Sequence, residues 1–227
     1  MAARLHNGRT GGPCARRCAV ASFLRLFSFV PAGPGAVPDQ LLRDAIMPDL
    51  LDRAEVRHAY AARSGSDDQG PRLAASIWEL DAPAEQPPAV LVDLLDGERA
   101  AGAESTLEVL PLAVALPFVQ PEEPRILRLF RGQTLPGDLD SYVEAARDGT
   151  YEDVMAEHGP AALFLAIRRP DEFVTLSVWT AWDNIAAATG GNLRQPIATR
   201  HAHRLARGTA EHYEIVPNSI APRPQTG

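Results

Sequence analysis

The sequence predicts an α+β protein built as two tandem βαββαβ halves, the ferredoxin-like order, whose two sheets close on each other as one barrel. Three short repeats carry that expectation. Phe23-Leu24-Arg25-Leu26-Phe27 returns 103 residues later as Ile126-Leu127-Arg128-Leu129-Phe130. Ser76-Ile77-Trp78 returns 101 residues later as Ser177-Val178-Trp179, and Leu107-Glu108-Val109-Leu110-Pro111 returns 106 residues later as Tyr213-Glu214-Ile215-Val216-Pro217. Three matches in one order at nearly one offset are the mark of an internal duplication with small loop insertions. A four-stranded antiparallel sheet with helices on one face leaves its other face bare, and a second copy in the same chain can cover it.

The first half reads as a strand over 23–30 and a helix over 39–53, with Leu41, Leu42, Ile46 and Leu50 on one face. A hairpin follows from 56–63 and 73–80, then a second helix over 89–95 behind Pro83, Pro87 and Pro88, and a last strand over 106–115. In the second half a strand over 126–134 runs into the Pro136-Gly137 turn, with Asp138 as helix N-cap. Leu139, Tyr142, Val143 and Ala146 follow at helical spacing. Asp148-Gly149 breaks the helix, a second piece covers Val154 and Met155, and His158-Gly159-Pro160 ends it. Strands over 162–167 and 173–179 flank a turn at 169–172. A short helix over 182–189 stops at Gly190-Gly191, and an irregular stretch precedes the last strand over 210–216. The expected divisions are a basic tail at 1–21, a first repeat at 22–116, a Pro-rich linker at 117–124, a second repeat at 125–218 and a tail at 219–227.

At 227 residues and 45% hydrophobic, the chain has enough apolar side chains for a real core. No apolar run approaches the roughly 18 residues of a membrane span, so no membrane association is expected. A net charge of −7 gives no general attraction to nucleic acid. All the basic residues are arginine, which excludes lysine Schiff-base chemistry and a P-loop. Residues 1–38 carry five arginines and no acid. That stretch imitates a signal peptide, but Arg25 interrupts its apolar part and the repeat claims those residues for a strand. Cys14 and Cys18 lack the partners of a zinc site and point to a reducing, cytoplasmic compartment.

One stretch resembles a known group of proteins. The strand, the Pro136-Gly137 turn, the long helix, Pro170-Asp171-Glu172-Phe173, Ser177-Val178-Trp179, Thr189-Gly190-Gly191 and the closing His212-Tyr213-Glu214 resemble the antibiotic-biosynthesis-monooxygenase group of dimeric α/β-barrel proteins. The likeness is best over 125–216 and weaker over 23–115. It implies an intramolecular version of the dimeric barrel, in a monomer or homodimer. It also implies a broad range of activities: some members oxidise polycyclic aromatic polyketides with O₂ and no cofactor, and relatives bind or degrade haem. Haem-degrading relatives use an asparagine on the first strand and a histidine on the second helix. Here Phe130 falls near the first position, and no histidine lies between Trp182 and Gly191.

The resemblance places Trp179 beside the pocket between sheet and helices, where an indole can stack on a planar substrate; Trp78 at the same repeat position favours a packing role equally. His201 and His203 would face one side of an extended segment, flanked by Arg200, Arg204 and Arg207. There they would serve as acid–base groups or bind an anion, or simply belong to a solvated loop. Arg128 alternates away from its leucine neighbours and would need a carboxylate partner or steady an enolate or phenolate. His212, Tyr142 and Asn184 are further pocket candidates. No metal-ligand spacing, Ser-His-Asp arrangement or nucleotide loop is found. The expected activity is a cofactor-independent monooxygenase taking a small planar aromatic molecule and O₂. His201, His203 and Arg128 would be its catalytic groups, and Trp179, Tyr142, Asn184, Arg204 and His212 would bind substrate. The alternatives are a non-catalytic binder of such molecules and a haem-binding relative.

Overall fold

A computed structural model describes residues 20–30, 39–40, 42–65, 70–80, 104–116 and 123–222. Eight antiparallel strands close into one barrel: β1 (Ala21–Val30), β2 (Val56–Arg63), β3 (Arg72–Leu80), β4 (Glu104–Leu116), β5 (Ile126–Thr134), β6 (Ala162–Arg169), β7 (Glu172–Trp179) and β8 (Leu205–Pro222). Around the wall they run β1-β3-β2-β8-β5-β7-β6-β4. Within each half the order is therefore last, first, third, second. The halves meet at two seams, β2 on β8 and β4 on β6.

Closure leaves the strands with two buried faces, which explains their near-continuous apolar runs. Alternate positions divide cleanly. Leu24 and Leu26, Leu127 and Leu129, Leu176 and Val178 point into the barrel with Phe164 and Tyr213. The opposite positions face the helices. Phe23, Phe27 and Phe29 pack there with Leu42, Met47 and Leu50 in the first half. Phe130, Leu163, Leu165 and Phe173 pack with Val143, Tyr151 and Val154 in the second.

The helices are short. A π-helical turn at Leu42–Ile46 leads into α1 (Met47–Leu51). α2 (Leu139–Ala145) is followed by a break, where Asp148 and Gly149 leave helical geometry, and then by α3 (Tyr151–His158). Gly149 has φ +100° and Gly159, which ends α3, has φ +68°, both in the region that favours glycine. The break at Asp148-Gly149 and the stop at Gly159 lie where the sequence places them. α4 (Trp182–Ala188) ends before Gly190 and Gly191. No helix among the described residues is long and apolar enough to cross a membrane.

Several expectations need correction. Asp138 stands at the N-cap of α2, but its carboxylate caps nothing and lies 3.7 Å from Arg204 instead. The last strand begins at Leu205, five residues before the expected start, because it pairs with the end of β5. The segment carrying His201 and His203 is a tight 3₁₀ turn and its approach, not an extended stretch. The expected second helix at 89–95, most of the linker, and the tail at 1–19 lie outside the described residues.

Trp78 and Trp179 are both fully buried, and each donates its indole N–H to the serine two residues earlier, Ser76 and Ser177, at 2.8 Å. Ser177→Ala should leave a buried donor unsatisfied and cost about 1–3 kcal/mol. In a Trp179→Phe background the same change should cost far less, and urea unfolding of the four proteins measures the difference. Equal costs in both backgrounds would mean the indole N–H does not depend on Ser177.

Candidate active site: a buried guanidinium between sheet and helices

Alternation along β5 sends Ile126, Arg128 and Phe130 to the helix side of the sheet. Arg128 is only 1% exposed. Its Nη2 donates to the backbone carbonyl of Gln195, and the Phe130 ring centre lies 5.4 Å from the guanidinium carbon. Its Nε, also buried, has no hydrogen-bond partner, and no carboxylate among the described residues forms an ion pair with it. Burial pulls its pKa down to about 10, so it stays charged at neutral pH. A buried cation without a counter-charge is costly to hold and strongly favours an anion that can reach it.

Beside it runs a chain of hydroxyls. The Tyr151 hydroxyl shares a hydrogen bond with Thr175 at 3.0 Å, and Tyr142 lines the same space. The Tyr142 ring stacks on Phe173 with centres 4.7 Å apart, which fixes its direction. Burial raises both phenols above the ordinary tyrosine range, so both are protonated donors at neutral pH. These groups surround a cavity of about 30 Å³. Pro196, Ile197 and Thr199 also line it. Their segment begins after Gly190-Gly191, is pinned by Ala198 N–H on the Ala188 carbonyl at 3.0 Å, and rejoins the body where Leu135 N–H meets the Arg204 carbonyl at 2.8 Å.

His212 pairs with Arg128 across β5 and β8. Its Nε2 is buried and unpartnered, and the Trp182 ring lies 5.4 Å away. Partial burial, then the charges of Arg128 and Arg194, push its pKa down to about 4, so it is neutral at physiological pH.

Of the residues singled out in the sequence, Arg128 and Tyr142 line the cavity and His212 adjoins it. The others lie elsewhere. Trp179 is sealed under α4 with Ile126, Ile185 and Ala188. Asn184 sits on α4, outside the cavity lining. His201 and His203, ring centres 6.3 Å apart, bond within their own turn, through Arg200. Arg204 faces Asp138. Tyr151 and Thr175 were not anticipated. Tyr151 lies three residues before Val154 on one helix face, and Thr175 takes the same strand parity as Ser177 and Trp179, so both carried a readable signal.

No protein-family model and no curated protein matches this sequence. Solved structures do resemble it. One is a protein from Fusobacterium nucleatum provisionally described as a monooxygenase, with TM-score 0.65 and 10% identity, covering 90% of this chain and 96% of that one. A second, from Lactobacillus acidophilus and described likewise, has TM-score 0.59 and 9% identity, covering 89% and 96%. An anthrone oxidase-like protein has TM-score 0.53 and 11% identity, covering 86% and 91%. At such identities the likeness shows the fold alone.

A protein provisionally described as a chlorite dismutase and a mutant chlorite dismutase from Candidatus Nitrospira defluvii share that fold at TM-score 0.50, the latter solved with cyanide, an anion that ligates haem iron. This corrects the expectation of no cofactor with haem as a remote alternative: such proteins stand about as near to the chain as the anthrone oxidase-like one, so the fold gives no ground for expecting cofactor independence. The cavity beside Arg128 does not itself fit a haem. It is too small, and its lining offers no histidine, cysteine or methionine as axial ligand, only two phenols held protonated.

The depressed His212 has a consequence for stability. The unfolded chain binds this proton near pH 6.5 and the folded chain near 4. Its contribution to stability is fully present above pH 6.5 and is lost as pH falls toward 4. In His212→Gln, the fall in unfolding free energy across that window should be shallower by up to about one proton's worth of slope, read from urea melts at a series of pH values. Parallel curves for the two proteins would show an imidazole that titrates normally.

Proposed function

We propose that the chain is a monooxygenase of the antibiotic-biosynthesis-monooxygenase kind, acting on a planar aromatic or polyketide-type small molecule with O₂ as the second substrate. The observation that carries this reading is Arg128: a buried guanidinium with no carboxylate partner, beside two protonated phenols. That set is suited to a substrate that becomes an anion as it reacts. Preorganised donors aimed at developing negative charge are the strongest aid an active site gives such a step. The structural likeness to proteins described as monooxygenases and as anthrone oxidase-like supports the reaction class.

On this reading a methylene between aromatic rings, or the phenol conjugated to it, loses a proton. Arg128 holds the resulting anion, Tyr142 and Tyr151 donate hydrogen bonds to it, and neutral His212 accepts the proton. Oxidising the methylene to a carbonyl removes four electrons; O₂ takes them up, leaving one oxygen in the carbonyl and the other as water. Tyr142 and Tyr151, both buried, would also exclude bulk water from the cavity. We further read the halves at 22–116 and 125–218 as tandem ferredoxin-like copies, supported by their common strand order and by the matching Trp–Ser pairs. We place the site in the second copy, where Tyr142, Tyr151 and Thr175 adjoin the buried Arg128; Arg25 is equally buried at the matching position of the first.

Oxygen uptake with an anthrone tests the reading. The wild type should consume one O₂ per anthrone, and Arg128→Gln should be slower by about 10²–10³-fold, the usual cost of one oxyanion donor. A bound phenol should ionise roughly 1–3 pH units below its free value in the wild type and lose that shift in the variant, with circular dichroism confirming the fold. Equal rates would overturn the role of Arg128. A shifted phenol without oxygen uptake would favour the non-catalytic binding protein.

A further inference from the structure

The cavity beside Arg128 is too small for the ligand its chemistry suits. About 30 Å³ holds a water or two, whereas benzene needs an engineered cavity of about 150 Å³. On the other side of His212 the same face of the sheet opens into a groove of about 620 Å³, within the usual range for small-molecule sites. The two spaces lie in line along β5 and β8. Arg128 and Phe130 line the cavity, the cross-strand pair Ile126 and Glu214 lines the groove, and His212, paired with Arg128, stands between.

Trp182 forms a wall of this groove at the first turn of α4. It is 41% exposed, while Trp78 and Trp179 have no exposed face. An indole presented to a groove offers a planar apolar surface for stacking, and Trp182 also contacts His212, whose buried Nε2 lacks a partner. Charge gives a direction. The groove carries Arg63 and Arg125 against Glu123, Asp183 and Glu214, and Arg63 is already shared between Asp39 at 3.1 Å and Glu214 at 4.0 Å. Its rim is therefore slightly acidic and unfavourable to an anion, whereas the uncompensated charge lies deeper, on Arg128. A ligand with a neutral planar body and one acidic hydroxyl is oriented by that gradient, hydroxyl inward.

We propose that the groove beside Trp182 binds the body of a planar hydroxyaromatic molecule, stacked on the indole with its hydroxyl directed at His212 and toward Arg128. The acidic hydroxyl rests on the monooxygenase reading; the stacking surface does not.

A dihydroxyanthraquinone, titrated against the full chain and followed by its own absorbance and by tryptophan fluorescence, tests the site. The wild type should bind it saturably. Trp182→Ala should weaken binding about tenfold or more, the usual effect of losing a stacking partner. Ala181→Trp, placed to fill the groove at an exposed position, should do the same, so a folding defect in either variant alone does not decide the matter. Trp179→Phe should leave affinity within about twofold. Arg128→Gln should retain the dye but lose the acid shift of its hydroxyl, which separates failure of the groove from failure of the oxidative reading. Equal affinity in the wild type, Trp182→Ala and Ala181→Trp would overturn the proposal, as would no binding to the wild type.

Discussion

The two seams that close the barrel, β2 on β8 and β4 on β6, set what every strand can carry. An open four-stranded sheet would leave Leu24, Leu26, Leu127, Leu129, Leu176 and Val178 facing water. Closure removes that cost and also removes all edges, the usual route to aggregation. It leaves the helix side of the wall as the place where a polar group can be kept at low dielectric. Arg128 stands there because the alternation that sends its leucine neighbours inward sends it outward.

The two halves use that face differently. In the first, Phe23, Phe27 and Phe29 with Leu42 and Leu50 fill the space between sheet and helix. In the second, Phe130 and Phe173 remain, but Tyr142, Tyr151 and Thr175 bring hydroxyls where the first half brings hydrocarbon. The difference is one of side chains on a common strand order. It gives the second half a mainly apolar cavity with a guanidinium and hydroxyls in its lining, bordered by a segment with almost no regular structure, and such segments are where a rigid scaffold usually places variable chemistry.

The sequence was most legible where one physical signal dominates. Strand limits at Val56–Arg63 and Ile126–Thr134 follow directly from alternation and flanking turn residues. Gly149, Gly159 and the Gly190-Gly191 pair mark helix breaks that only their backbone freedom explains. The site was less legible because orientation within an irregular stretch has no period. Residues 192–204 carry three arginines and two histidines, yet the cavity takes the apolar Pro196 and Ile197 from them and leaves His201 and His203 in their own turn. The tryptophans make the same point. Spacing cannot tell that Ser177 satisfies Trp179 while Trp182, three residues on, keeps an open face. Asp138 has an N-cap's position and residue type, but an arginine from the returning chain takes its carboxylate.

Arg128 and His212 are coupled in a way that bears on the proposed chemistry. Burial holds His212 low first, and the Arg128 charge holds it lower. A neutral imidazole with a pKa of about 4 is a poor proton acceptor for a weak carbon or phenol acid. An anion formed against Arg128 cancels part of the charge that depresses the imidazole, so His212 becomes more basic as the substrate gives up its proton. The Gln195 carbonyl occupies one nitrogen of the guanidinium, and the buried Nε has no partner. On the proposed chemistry the empty site would thus be kept from protonating and the loaded site would favour proton transfer, because one buried charge lacks a counter-charge.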